Sequence, residues 1–130
     1  MNQSPNFIWL ITYINTTINT MEPSSLHTTP CESCDKNTNP LSKQKIHPLL
    51  KKLGQNWTLN DQHHLYKKFL FQNFNDALIF VNKVGEIAET INHHPILSFS
   101  WGYVDIVIYT HSINGLHIND FILAAKIDAL

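Results

Sequence analysis

The chain has 130 residues, 43% hydrophobic and 15% charged, with a net charge of −1, which suits one core and is too short for two ordinary domains. That balance creates no long-range field to draw in nucleic acid or anionic lipid. All nine basic residues are lysine, so the arginine fork that most often holds phosphates and carboxylates is missing and a highly anionic substrate is disfavoured.

In chain order, Phe7 to Ile11 is apolar, but a membrane span needs about 20 apolar residues. A secretory signal needs a basic start, and the first lysine is Lys36. We therefore expect a cytoplasmic chain without a membrane segment. Translation beginning at Met21 would make residues 1–20 an upstream extension. Pro23, Pro30 and Pro40, set among Ser, Thr and Asn, mark an irregular lead-in, so residues 1–40 are expected to be a flexible extension and 41–130 the folded domain. Cys31 and Cys34 form a single Cys-x-x-Cys. A structural zinc site wants four ligands, and His27 alone does not complete one. A functionally silent, reduced pair is the expectation, with a metal or redox site and a disulfide as alternatives.

Order begins near Leu41. Ser42 can cap a helix through Ile46, Leu49, Leu50 and Leu53 that stops at Gly54, with Pro48 placed in the first turn or bending it. Trp57–Leu59 and His64–Phe71 read as strands of a hairpin turned by Asn60-Asp61-Gln62, with His63 and His64 solvated beside the turn. Asn73 opens the strongest helix, with Asp76 as a capping-box-like partner. Its apolar stripe is Phe74, Ala77, Leu78, Val81, Val84, Ala88 and Ile91, leaving Ile79, Phe80 and Ile87 outside for a second subunit.

The helix runs into Glu89-Thr90-Ile91-Asn92-His93-His94-Pro95. Pro95 disfavours α geometry at His94, so the helix is expected to stop there with the two imidazoles pointing differently. Histidine exchanges protons near neutral pH, which suggests acid/base work; capping of the last helical carbonyls is the plainer alternative. Leu97, Phe99 and Trp101 then alternate with serines, Gly102 turns the chain, and Val104, Ile106 and Ile108 share one face of the next strand. Asp105, Val107, Tyr109 and His111 share the other, so His111 is expected at the strand end. After a loop containing Gly115, a last helix spans roughly Ile118 to Ala129, with Asp120 in its first turn, where a carboxylate can cap amides. The order α-β-β-α-β-β-α predicts an α+β single domain with a four-stranded, mostly antiparallel sheet covered by helices on one face.

Glu89, His93-His94-Pro95, Trp101, Tyr103, His111 and Asp120 together resemble the signature of the pterin-4a-carbinolamine dehydratases. The runs Phe69-Leu70-Phe71-Gln72-Asn73-Phe74 and Gly115 to Lys126 resemble the bacterial branch in particular. The resemblance covers about residues 40–130, with a weaker likeness at Cys31 to Cys34. It implies dehydration of a 4a-hydroxy-tetrahydropterin to the quinonoid dihydropterin, recycling the pterin of an aromatic amino acid hydroxylase, with no cofactor and no metal. It also implies a homo-oligomer, a dimer or tetramer. His93, His94 and His111 would handle protons and contact the pterin, with His94 nearest the chemistry and His93, in the final turn of its helix, a candidate acid. Glu89 would orient His93, and Asp120 would hold His111 or its loop; Pro95 and Trp101 would support the site. His117 stands where many members of that family carry a small hydroxyl cap, so the last helix is expected to start less firmly. A histidine-carboxylate metal site and a non-enzymatic protein-binding and dimerisation role are the competing readings.

Overall fold

The computed structural model describes residues 26–130. The readings placed on residues 1–25, including Met21 as an alternative start, lie outside the described residues. Helix α1 is Lys43–Leu53, closed by Gly54 at φ 57 with its N–H on the Leu50 carbonyl. Ser42 takes the N-cap position, but its side chain makes no capping bond. Pro48 lies inside the helix rather than in its first turn, so the Gln44 carbonyl loses its usual helical partner.

Strands β1 (Thr58–Leu59) and β2 (Leu65–Leu70) pair antiparallel as the expected hairpin. Asn60 makes the turn: its Oδ1 accepts from the amides of Gln62 and His64 at 3.0 and 2.9 Å. Helix α2 (Phe74–Ile91) starts at Asn73, whose Oδ1 accepts from the Asp76 amide at 2.8 Å. Its inward stripe is rotated from the expected one. Ala77, Val84 and Ala88 are buried, with Phe80, Val81, Ile87 and Ile91 packed beside them, whereas Phe74, Leu78 and Ile79 are exposed.

Strands β3 (Ile96–Ser100) and β4 (Tyr103–Ile108) are joined by Trp101 and Gly102, and the sheet order is β1-β2-β4-β3 with every pairing antiparallel. Gly102 sits at φ 84, in the left-handed region that glycine tolerates best. The strand period of two puts Leu65, Phe69, Leu97, Phe99, Val104, Ile106 and Ile108 on the face toward the helices. Helix α3 (Ile118–Asp128) touches both other helices and the 3-10 turn Leu26–Thr28. Being covered on several sides, it buries Phe121 to Ala125 in succession, not one stripe. Lys67 also faces inward: its Nζ donates to Asp128 Oδ1 at 2.7 Å, and Trp57 Nε1 donates to Asp128 Oδ2 at 2.8 Å. This is the α+β architecture expected, with the sheet wholly antiparallel.

Residues 26–40 carry little regular structure, yet they are held against the domain, a contact that the expected flexible extension did not include. Leu26 is buried in the core, Lys126 Nζ donates to the His27 carbonyl at 2.7 Å, and the Leu41 amide donates to the Leu116 carbonyl at 2.8 Å. Gly115 permits the approach, because a Cβ there would lie 2.8 Å from Pro40 Cβ. Among the described residues no helix is long and apolar enough to cross a membrane.

Candidate active site

The site begins at the end of α2. Asn92 adopts the left-handed conformation at φ 51, the Asn92 amide bonds back to the Ala88 and Glu89 carbonyls, and the His93 amide bonds to Ala88 O at 3.1 Å. This is a Schellman closure with asparagine in the usual glycine place. His93 therefore lies two residues beyond the helix, correcting its expected place in the final turn. The reversal at Asn92 also decides which way each imidazole turns.

The carboxylate pairings differ from those expected. Glu89 holds His94, with Nε2 to Oε1 at 2.6 Å, on an open surface where both side chains are exposed. Asp120 holds His93, with Nε2 to Oδ1 at 2.6 Å, and not His111. Asp120 is fully buried, and its other oxygen accepts from Thr110 Oγ1 and the His117 amide, both at 2.8 Å. An ionised carboxylate only accepts, so in the neutral imidazoles both Nε2 atoms carry the proton and both Nδ1 atoms are left as acceptors. His117 caps α3 itself: its Nδ1 accepts from the Asn119 amide at 3.3 Å while its own amide is held by Asp120. The expected weak start of that helix is thus corrected, because an imidazole nitrogen fills the role of a hydroxyl oxygen.

His111 does not end the strand; β4 stops at Ile108, and His111 opens a 3-10 turn through Ile113. Its ring packs on Tyr109 with centroids 4.2 Å apart. Tyr109 in turn lies flat on His64, 3.8 Å away with planes 3° apart. His64 is buried, against the expectation of a solvated residue, and its Nδ1 has no hydrogen-bond partner among the described residues. Burial holds its pKa below the ordinary imidazole range, with the charges of His111 and His63 adding to the effect and Asp120 opposing it.

His93, His94 and His111 line one cleft of about 580 Å³, a volume that suits a small ligand. Tyr109 and Thr110 line it with them. The strap Cys31–Cys34 also lines the cleft, fastened by Asn119: Asn119 Oδ1 accepts from the Glu32 amide at 2.7 Å and its Nδ2 donates to the Glu32 carbonyl at 2.8 Å. Both cysteines are free, and burial raises the Cys31 thiol pKa above its usual value, with Lys126 partly opposing. Sequence reasoning had set this strap aside; its two cysteines were the signal that pointed to it. Glu89, Asp120 and Pro95 stand behind or beside the histidines. Trp101 is not brought to the cleft: it sits 68% exposed in the β3–β4 turn, a five-residue strand, or about 17 Å, from the corner at Pro95. Among the described residues no group of three His, Cys, Asp or Glu side chains is arranged to hold a metal ion.

Comparison with known proteins places the chain among relatives of sequence and fold. The family model described as pterin 4 alpha carbinolamine dehydratase matches residues 39–130. A protein of Rickettsia canadensis named "Putative pterin-4-alpha-carbinolamine dehydratase" is 50% identical over 99 residues, covering 76% of this chain and 91% of its own. One of Rubrobacter xylanophilus with the same name is 44% identical over 107 residues, covering 82% and 99%. The solved structure of a "transcriptional coactivator/pterin dehydratase" from Brucella melitensis superposes with a TM-score of 0.66 at 29% identity, covering 70% of this chain and 97% of that one. With the family model matching from residue 39 to the last residue and a relative 50% identical over 91% of its own length, the chain belongs to the pterin-4a-carbinolamine dehydratase family.

Proposed function

We propose that the protein dehydrates 4a-hydroxy-tetrahydropterin to the quinonoid dihydropterin and water in the cytoplasm, recycling the pterin used by an aromatic amino acid hydroxylase. The observation that carries this reading is the convergence of His93, His94 and His111 on one cleft. The reaction breaks the C4a–O bond, removes the N5 proton and forms the C4a=N5 double bond. It needs one base and one acid, and it transfers no electrons or phosphate. His94, with Nε2 committed to Glu89, presents Nδ1 as the base for the N5 proton. His111, whose ring has no hydrogen-bond partner among the described residues, protonates the departing hydroxyl and re-equilibrates with solvent. His93, pinned by buried Asp120, fixes the heterocycle between them. Pro95 keeps His94 extended. The assembly is a homo-oligomer, a dimer or tetramer: among the described residues β3 is a sheet edge paired on one side only, and exposed Leu70, Phe74, Ile79, Ile96 and Trp101 supply apolar surface for contact. Trp101 therefore supports the site through assembly, not by touching substrate in its own chain.

The test is stopped-flow absorbance of freshly generated 4a-hydroxy-tetrahydropterin. Wild-type protein accelerates dehydration, and His94→Ala lowers kcat by roughly a hundredfold or more. A wild-type protein that leaves the spontaneous rate unchanged defeats the proposal. The name of the Brucella structure motivates a second reading, a protein-binding cofactor without catalysis; under it His94→Ala leaves partner binding intact and there is no turnover to lose.

A further inference from the structure

The strap that walls the cleft carries the feature that the histidines leave unexplained. Among the described residues Glu32 is the only acidic residue lining the cleft, and no lysine lines it. Its carboxylate is exposed and makes no hydrogen bond or ion pair among the described residues, whereas its backbone is fixed at both N–H and C=O by the buried amide of Asn119. A backbone held at both its polar groups thus places a carboxylate-bearing residue on the same cleft that the three imidazoles line. A 2-amino-4-oxopteridine offers a matching edge, since its C2 amino group and N3–H are parallel donors spaced for the two oxygens of a carboxylate. The opposite edge of the ring system, C4a and N5, is then left for the histidines.

We propose that Glu32 is the specificity-determining residue of the cleft, binding the amino-pyrimidinone edge of the pterin, and that Asn119 is the positioning residue that holds it there. This assignment rests on the pterin reading above. The strap is then a part of the substrate site, and residue 119 links the two halves of that site: its neighbour Asp120 holds His93 while its own side chain holds Glu32.

The test compares wild type, Glu32→Gln and Asn119→Ala for binding of 7,8-dihydropterin and of the corresponding 2,4-dioxo ring by fluorescence titration, together with dehydration kinetics. Wild type is expected to prefer the 2-amino ring. Glu32→Gln is expected to weaken its binding and raise KM roughly tenfold, the scale of one lost charged hydrogen bond, with kcat nearly unchanged and the preference erased. Glu32→Asp is expected to restore part of the preference. Asn119→Ala is expected to follow Glu32→Gln in KM and preference. Glu32 is a surface side chain, so its variants keep the fold and report on binding. If wild type dehydrates its substrate while Glu32→Gln keeps both KM and preference, the assignment of Glu32 is wrong and the dehydratase reading stands. If wild type neither binds the 2-amino ring nor accelerates dehydration, both fall.

Discussion

Replacing Asp120 with asparagine changes one atom and separates the two tasks of that side chain. Asp120 is fully buried and serves three donors, with His93 on Oδ1 and Thr110 and the His117 amide on Oδ2. Asparagine has one acceptor oxygen, so it must be placed on one side. Aimed at His93, it leaves its amino group against the His117 amide, two donors facing each other at the start of α3. Aimed at Thr110 and His117, it keeps the helix cap and turns its amino group to His93, which can accept at Nε2 by moving its proton to Nδ1. The second arrangement costs less, because a tautomer change is cheaper than an orphaned buried amide. Loss of one charged hydrogen bond is expected to lower stability by about 2 kcal/mol, which for about 105 folded residues is a fall in Tm of about 8–10 °C. In the cleft the acceptor nitrogen of His93, which fixes the heterocycle, becomes a donor, and kcat/KM is expected to fall roughly tenfold. Thermal denaturation, dehydration kinetics and nitrogen-15 imidazole spectra measure the three effects. A variant that retains full turnover with His93 still protonated on Nε2 would refute the reasoning.

Two further outcomes follow from groups outside the cleft. His64 has a lowered pKa from burial, so the unfolded chain binds protons there more readily than the folded one, and stability contributed at neutral pH is lost as pH falls below about 6.5. His64→Phe keeps a flat ring on Tyr109 and is expected to show a smaller loss of Tm between pH 7 and 5; identical slopes for both proteins count against this. Asp128→Ala removes the partner of Lys67, whose side chain is 11% exposed, and leaves Trp57 Nε1 unpaired. A loss of about 3 kcal/mol is expected in urea denaturation, and a change under 1 kcal/mol would show that water replaces both contacts.

Local rules were enough for most of the fold. Asn73 caps its helix, Gly54 and Gly102 close a helix and a turn at positive φ, and the alternation of Val104, Ile106 and Ile108 with Asp105 and Val107 sets the two faces of β4. Each depends on residues within a few positions, the range over which hydrogen bonding and period act. The inward stripe of α2 shows where that range ends. Phe74 and Leu78 satisfy the helical period as well as Phe80 and Ile87 do, and only the placement of α2 against β3 and α3 chose between them.

The site divides in the same way. That His93, His94 and His111 share one cleft was implied by the family resemblance, but which carboxylate serves which histidine was not legible. Glu89 lies close enough in the chain to reach either neighbour, and the left-handed turn at Asn92 gives it His94. Asp120 is 27 residues from His93 and 10 from Thr110, separations at which periodicity carries no information. His64 and the Cys31–Cys34 strap were misjudged for one reason: polar residues beside turns and prolines read as solvated. Their burial or placement is decided by Tyr109 and Asn119, which arrive from 45 and 87 positions further along. The sequence alone thus determined the helices and the strands, because these rest on contacts with near neighbours, and its family resemblance singled out His93, His94 and His111. The tertiary structure decided their partners, their protonated nitrogens and the strap that shares their cleft, because those rest on which distant segments come to share a surface.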